Sequence, residues 1–157
     1  TADESYFAKE VMTPTGPGTT ADFLHIRVLD CWVHEQDMRR AVGILGHLSG
    51  AAAEHTIDRL IRTLPIVVGK RAATPEGESV SITISGAVQR TIFISVTEGR
   101  ANFVSTAPAN LLCEIAMDST VFTALATGRK QSTELNWTST GDTALAQRIV
   151  SQLNMMI

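Results

Sequence analysis

The chain has 157 residues, a hydrophobic fraction of 44%, a charged fraction of 18% and a formal net charge of −3. This length is sufficient for one ordinary domain or two small ones with a self-supporting core. The sequence has neither a basic excess nor a basic run, which argues against a general nucleic-acid binder and against attraction to anionic membranes. We therefore expect a small molecule or another protein as the partner.

The cysteines and the hydropathy pattern predict a cytoplasmic protein. Cys31 and Cys113 lie far apart and belong to no C-x-x-C pair, so two reduced thiols are expected. No run approaches the roughly 20 apolar residues of a membrane span, and no signal peptide is visible. The sequence begins TADESYF, without an initiator methionine, which suggests a processed or trimmed piece of a longer protein.

The first half of the chain is predicted to be helical. Residues 1–20 end in TPTGPGTT, whose prolines and glycines predict a leading loop. Thr20 is the predicted N-cap of a long helix that extends to about Val42. A second helix is predicted over residues 49–64, because apolar residues recur there at helical spacing and Pro65 stops the pattern.

The second half of the chain changes to an alternating pattern. SVSITIS (79–85) and RTIFISVT (90–97) predict a β-hairpin. A strand, a short helix, a strand and a final helix are then predicted over residues 110–118, 119–128, 132–140 and 142–157. This half is therefore predicted to be an α+β unit, a small antiparallel sheet with two packed helices.

Asp30, His34 and Asp37 share one face of the long predicted helix. Apolar residues cover most of its remaining circumference, so this polar stripe is expected to face inward or into a cleft. A carboxylate and an imidazole at i and i+4 offer two donors to one divalent cation, as in H-E-x-x-H. The same spacing is typical of a solvated pair worth about 0.2–0.5 kcal/mol. A catalytic zinc also needs three protein ligands, and neither His25 nor His47 is convincingly placed to be the third.

The run GPGTTADFLHIRVLDCWVHEQDMRRAVG resembles the last bundle helix of the mycothiol-dependent maleylpyruvate isomerase family, and the similarity continues through LATGRK and STGD. Members of that family have a DinB-like metal-binding four-helix bundle followed by a domain related in fold to sterol carrier protein type 2. The resemblance covers the chain from about Thr13 onward. It implies that residues 1–47 are a leading loop and the last bundle helix, and that residues 48–157 are the C-terminal α+β domain.

The same resemblance implies a set of site residues. The metal ligands would be Asp30, where some members have Glu, and His34. Asp37 would orient His34 or a neighbouring group without binding the metal itself. The implied cofactors are a divalent metal, expected to be zinc, and mycothiol. Arg129 would be a catalytic residue that holds a substrate carboxylate, although its position also suits a cation that complements a helix dipole. The family's remaining ligand is a histidine on an earlier helix, which has no counterpart in this sequence.

The function implied by the resemblance is that of a mycothiol-dependent isomerase or thiol S-transferase, in which the metal activates a thiol towards an electrophilic small molecule. The expected partners are that thiol and that substrate, without nucleic acid or membrane. The alternative is a non-catalytic module whose α+β half encloses an apolar ligand, as sterol-carrier-like domains do. A metal-dependent regulator is a third hypothesis. An apolar helix face without bundle partners would favour self-association, so a homo-oligomer is also considered.

Overall fold

The computed structural model describes residues 2–155. The chain forms two compact units, Thr1–Thr56 and Ile57–Ile157, which we call unit 1 and unit 2. Helices and strands both occur, so the predicted α+β class is confirmed. The predicted domain division after residue 47 stays a prediction.

Unit 1 begins with a short helix and a hairpin. Its elements are α1 (Glu4–Ala8), β1 (Glu10–Thr13), β2 (Gly16–Thr19), α2 (Thr20–Ala41) and the first part of α3 (Ala51–Ile61). The prediction of a leading loop over residues 1–20 is therefore wrong. Asp3 caps α1 by accepting a hydrogen bond from the backbone of Tyr6, and Thr13 Oγ1 donates to the carbonyl of Gly16 at the hairpin turn. A two-stranded sheet has only edge strands, which tolerate proline.

Helix α2 begins one residue earlier than predicted. Thr19, not Thr20, is the N-cap: its Oγ1 accepts a hydrogen bond from the backbone of Asp22, whose carboxylate accepts one from the Thr19 backbone. This reciprocal capping box satisfies two backbone donors that the first helical turn leaves without partners. The predicted end near Val42 is confirmed. Within residues 2–155, no helix combines the length and the apolar character needed to cross a bilayer.

Unit 2 is built on a five-stranded sheet in the order β5-β4-β3-β6-β7. After a π-helical turn (Ile66–Arg71), its elements are β3 (Ser79–Ser85), β4 (Arg90–Thr97), β5 (Arg100–Val104), β6 (Cys113–Asp118), α4 (Ser119–Ala126), a 3₁₀ turn (Ser132–Glu134), β7 (Trp137–Gly141) and α5 (Thr143–Ser151). The hairpin predicted over 79–85 and 90–97 is confirmed at both strands. The sheet is antiparallel as predicted except between β3 and β6, which pair in parallel.

One face of this sheet forms the core of unit 2. Alternation along β3 places Val80, Ile82 and Ile84 on the buried face, and the register aligns Ile82 with Ile92 and Ile115. Helices α4 and α5 pack on the sheet. They contribute the fully buried side chains Phe122, Leu145 and Ile149. Large apolar side chains thus occupy the layer between sheet and helices.

Candidate functional site

Asp30, His34 and Asp37 lie together on α2, as their spacing predicted. His34 Nε2 is 3.3 Å from Asp30 Oδ1, and His34 Nδ1 is 3.6 Å from Asp37 Oδ2. The His34 side chain is 62% exposed and the two carboxylates about half as much. The expectation that this stripe faces inward is therefore wrong. The buried face of α2 lies about a third of a turn away and carries Leu29, Trp32, Val33 and Gln36.

Arginines already engage both carboxylates of this stripe. Arg27 Nη1 donates to Asp30 Oδ2 at 2.7 Å, and Arg40 Nη2 donates to Asp37 Oδ1. The stripe is thus a ladder of charges three and four residues apart on an exposed helix face. Each such pair typically contributes about 0–1 kcal/mol. The ladder accounts for this concentration of charge without a bound ion.

Asp30 and His34 supply too few ligands to hold a catalytic zinc ion. Among residues 2–155, no three His, Cys, Asp or Glu side chains lie close enough together to hold a metal ion. His25 instead contacts the ring of His55, with centroids 4.8 Å apart, and His47 pairs with Glu35. Because a catalytic zinc needs three protein ligands, the described side chains do not by themselves fit this metal.

Arg129 lies just beyond the end of α4. Its backbone N–H donates to the carbonyl of Ala124 at 2.8 Å, and its Nη1 donates to the carbonyl of Thr127 at 2.9 Å. These bonds satisfy carbonyls at the C-terminal end of the helix, where a cation also complements the dipole. The catalytic role of Arg129 stays a prediction.

The two cysteines differ in their surroundings. Cys31 is exposed on α2, whereas Cys113 is buried in β6. Burial, assisted by the negative charge of Asp142, raises the pKa of the Cys113 thiol to about 11. Cys113 is therefore protonated at neutral pH and is not a nucleophile there.

An open apolar cleft follows a third face of α2. Its volume is about 510 Å³, and its lining residues are Leu24, Arg27, Val28, Cys31, Trp32, Glu35 and Ala52. Leu24, Val28 and Cys31 recur at intervals of four and three residues, so they form one stripe along the helix. Trp32 is buried and Ala52 comes from the first turn of α3. The cleft is therefore an apolar surface with an arginine and a glutamate at its margin.

This cleft was not predicted from the sequence. Apolar residues of α2 cover most of its circumference, and the sequence pattern was interpreted as a single apolar flank around a buried polar stripe. The spacing of four and three residues could have distinguished the apolar stripe at the cleft from the buried face of α2. It continues from the cleft residues Leu24, Val28 and Cys31 to Met38 and Val42, and omits the buried face.

Residues 42–50 connect α2 and α3, and we call them the α2–α3 loop. Hydrogen bonds hold this loop against α2. Trp32 Nε1 donates to the carbonyl of His47 at 3.0 Å, and His47 Nδ1 lies 2.8 Å from a carboxylate oxygen of Glu35. Hydrogen bonds from Arg39, and secondarily from His47, lower the pKa of the Glu35 carboxyl below its ordinary value. Glu35 is therefore a carboxylate at neutral pH and anchors the loop at the margin of the cleft.

Comparisons with known proteins support no family assignment. No family model matches the chain, and no curated protein matches its sequence. The solved structures that it resembles include sterol-carrier-protein-2-like domains. The UbiJ-SCP2 ubiquinone synthesis protein is 11% identical, with a TM-score of 0.44 over 62% of this chain and 91% of that one. Sterol Carrier Protein 2 Like 2 from Aedes aegypti is 12% identical, with a TM-score of 0.43 over 60% and 93%.

Sterol Carrier Protein 2 from Yarrowia lipolytica, in its apo form, is 11% identical, with a TM-score of 0.42 over 64% of this chain and 93% of that one. At such identities and TM-scores, these similarities say nothing about the activity of this chain. The bundle part of the resemblance to the mycothiol-dependent family stays a prediction.

Proposed function

We propose that this chain is a binding module for a small apolar molecule, which occupies the cleft along α2. The observation that carries this proposal is the cleft itself, where Leu24, Val28 and Trp32 border about 510 Å³. Small-molecule sites typically have volumes of about 300–1,000 Å³ and mostly apolar walls. Covering apolar surface gains roughly 25 cal/mol per Å², so an apolar ligand has a driving force to bind there. The ligand would thus lie in unit 1, not inside the α+β half.

The charged residues at the margin indicate the polarity of the ligand. Arg27 is bonded to Asp30, and Glu35 is bonded to both Arg39 and His47. Each charge therefore has its counter-charge within the chain, and neither requires a ligand of opposite sign. A neutral molecule, such as a long-chain alcohol or a polycyclic alcohol, fits this margin better than a fatty-acid anion.

Trp32 allows this proposal to be tested directly. The chain has two tryptophans, so Trp137→Phe leaves Trp32 as the single reporter, and Trp32→Phe is the matched control. We expect a brominated long-chain alcohol to quench Trp32 with saturation and to leave Trp137 unaffected. Val28→Asp should weaken binding at least about tenfold, equivalent to roughly 1.4 kcal/mol, because it places a charge in the apolar wall. Met12→Asp, at an exposed apolar residue outside the cleft, should bind as the parent does. Unsaturable quenching, or equal affinity in Val28→Asp, would rule the site out.

The second candidate is the metal- and mycothiol-dependent isomerase or transferase that the resemblance implies. The observation in its favour is the accessible stripe on α2, in which His34 lies beside Asp30 and Asp37. We propose that Asp30 and His34 would supply only part of the ligand set for zinc, and that other donors would come from outside the described residues. In this proposal Arg129 holds a substrate carboxylate and mycothiol is the thiol.

Metal binding tests the partial-site proposal. Asp30 and His34 are only two ligands, and Arg27 already binds Asp30. The chain purified without added metal should therefore retain far less than one zinc per chain, measured by mass spectrometry. Zinc titration against a competing dye should show weak binding that His34→Ala removes and His25→Ala preserves. One tightly held zinc per chain would contradict the incompleteness of the site. Identical titrations for the parent and His34→Ala would eliminate the ligand role of His34.

A further inference from the structure

The α2–α3 loop exposes an unusual concentration of apolar side chains. Val42 is 66% exposed, Ile44 60% and Leu45 80%. The surrounding sequence AVGILGHLSGAAA, residues 41–53, contains no Lys, Arg, Asp or Glu. Contiguous apolar surface of this kind on a folded protein indicates a place where an apolar partner binds.

The structure of the loop holds these side chains outward. Trp32 Nε1 donates to the carbonyl of His47 at 3.0 Å, and Gln36 Nε2 donates to the same oxygen at 3.3 Å. Both donors belong to the buried face of α2. His47 adopts a φ of +54°, in the left-handed region that residues other than glycine rarely adopt. The backbone at 47 is thus fixed to the helix, while Ile44 and Leu45 at the tip point into solvent.

We propose that this loop inserts into the surface of a lipid bilayer. Two consecutive, highly exposed apolar side chains make a convex tip, which a bilayer accepts without a pre-shaped groove. The carbonyls of Gly46 and His47 accept hydrogen bonds from α2, and the backbone N–H of Ile44 donates to α2. These bonds lower the number of unpaired backbone groups that insertion would bury.

The charge of unit 1 identifies the kind of membrane. Residues 1–56 contain eight Asp and Glu residues and four Lys and Arg residues. An anionic surface would therefore repel the unit, whereas a zwitterionic surface would not. Apolar contact with phosphatidylcholine, not charge attraction, is the chemistry that this loop fits.

The loop also continues the apolar stripe that borders the cleft. The four-three spacing of the stripe runs through Leu24, Val28, Cys31, Met38 and Val42. Met38 and Val42 are both well exposed, and Val42 begins the loop. Glu35 interrupts the stripe, but its carboxylate is paired with Arg39 and hydrogen-bonded to His47. An apolar molecule could therefore pass between the bilayer and the cleft along this face, a role that rests on the proposed function.

Flotation of the full chain with phosphatidylcholine vesicles tests the insertion. We expect the parent to float with the vesicles and Leu45→Asp to lower the partition coefficient at least about tenfold, since a carboxylate at the tip resists transfer into the bilayer. Met12→Asp, which charges an apolar residue of similar exposure in the β1–β2 hairpin, is the matched control and should float like the parent. Partitioning should fall when phosphatidylserine is included and should change less than about twofold in high salt.

Three outcomes would overturn the proposal. These are an absence of the parent from the floating fraction, equal flotation of Leu45→Asp, and binding that requires phosphatidylserine. Sedimentation velocity without vesicles provides a further check: self-association abolished by Leu45→Asp, without flotation of the parent, would assign the loop to a contact between copies. Quenching of Trp32 by soluble ligand without vesicles should be the same in Leu45→Asp and the parent. Flotation without saturable quenching would support insertion of the loop into the bilayer and would refute the proposed ligand site in the cleft.

Discussion

Gly141→Ala is expected to lower the free energy of unfolding of unit 2 by about 3 kcal/mol or more. Gly141 ends β7 with a φ of +76°. An added Cβ would collide with the carbonyl oxygen of Leu112 and lie 3.1 Å from the Cα of Cys113. Both are backbone atoms, and Leu112 O also accepts a hydrogen bond from the backbone of Asp142. Relief of the collision would therefore require β6 and β7 to separate.

Gly77→Ala provides the matched control for this substitution. Gly77 has a similar φ of +81°, but an added Cβ would meet no atom within 4 Å. This variant isolates the cost of the left-handed backbone, about 1–2 kcal/mol. Urea denaturation followed by far-ultraviolet circular dichroism should show a clearly larger loss for Gly141→Ala. Equal losses in the two variants would show that β6 and β7 tolerate the added carbon.

Trp32→Ala is expected to destabilise the region around α2 by about 3–5 kcal/mol. The Trp32 side chain is 5% exposed, so its removal leaves a large void among the residues of the buried helix face. The substitution also removes the donor to the carbonyl of His47. We therefore expect both a loss of stability and a release of the α2–α3 loop.

Trp32→Phe separates these two effects. Phenylalanine retains most of the buried ring and lacks the indole N–H. Because Gln36 still donates to the same carbonyl, only one hydrogen bond is lost, which should cost about 0.5–1.5 kcal/mol. Hydrogen exchange of amides in residues 42–50 should accelerate in both variants, and exchange along α2 should accelerate mainly in Trp32→Ala. A loss below about 1 kcal/mol for Trp32→Ala would mean that the site can collapse around the missing ring. Unchanged loop exchange in Trp32→Phe would mean that other contacts hold the loop.

Local patterns were sufficient for the elements whose partners are close in sequence. β3 and β4 alternate in hydropathy and pair with each other across a short link, so the hairpin was predictable at both strands. In α5, Leu145 and Ile149 recur at helical spacing and are buried, but the helix ends at Ser151, before the predicted end at residue 157, and Leu153 is buried just beyond it. The first 20 residues were mispredicted because the prolines and glycines that disfavour helix are compatible with a two-stranded hairpin.

Longer-range pairing was not available from these patterns. β3 and β6 are neighbours in the sheet and pair in parallel, although β4 and β5 lie between them in the sequence. A strand with one buried face has the same alternation in either direction, so the pattern cannot specify whether such a pair is parallel or antiparallel. The tertiary fold decided this direction.

The candidate site shows the same division. Helical geometry alone determined that Asp30, His34 and Asp37 share a face, because residues three and four apart always do so. Sequence by itself also determined the α+β class through the change from helical to alternating periodicity. Only the tertiary structure decided that Leu29, Trp32 and Val33 form the buried face of α2 and that the polar stripe is exposed. Periodicity states which residues lie together on a helix, but burial depends on what packs against each face, and that is a property of the whole fold.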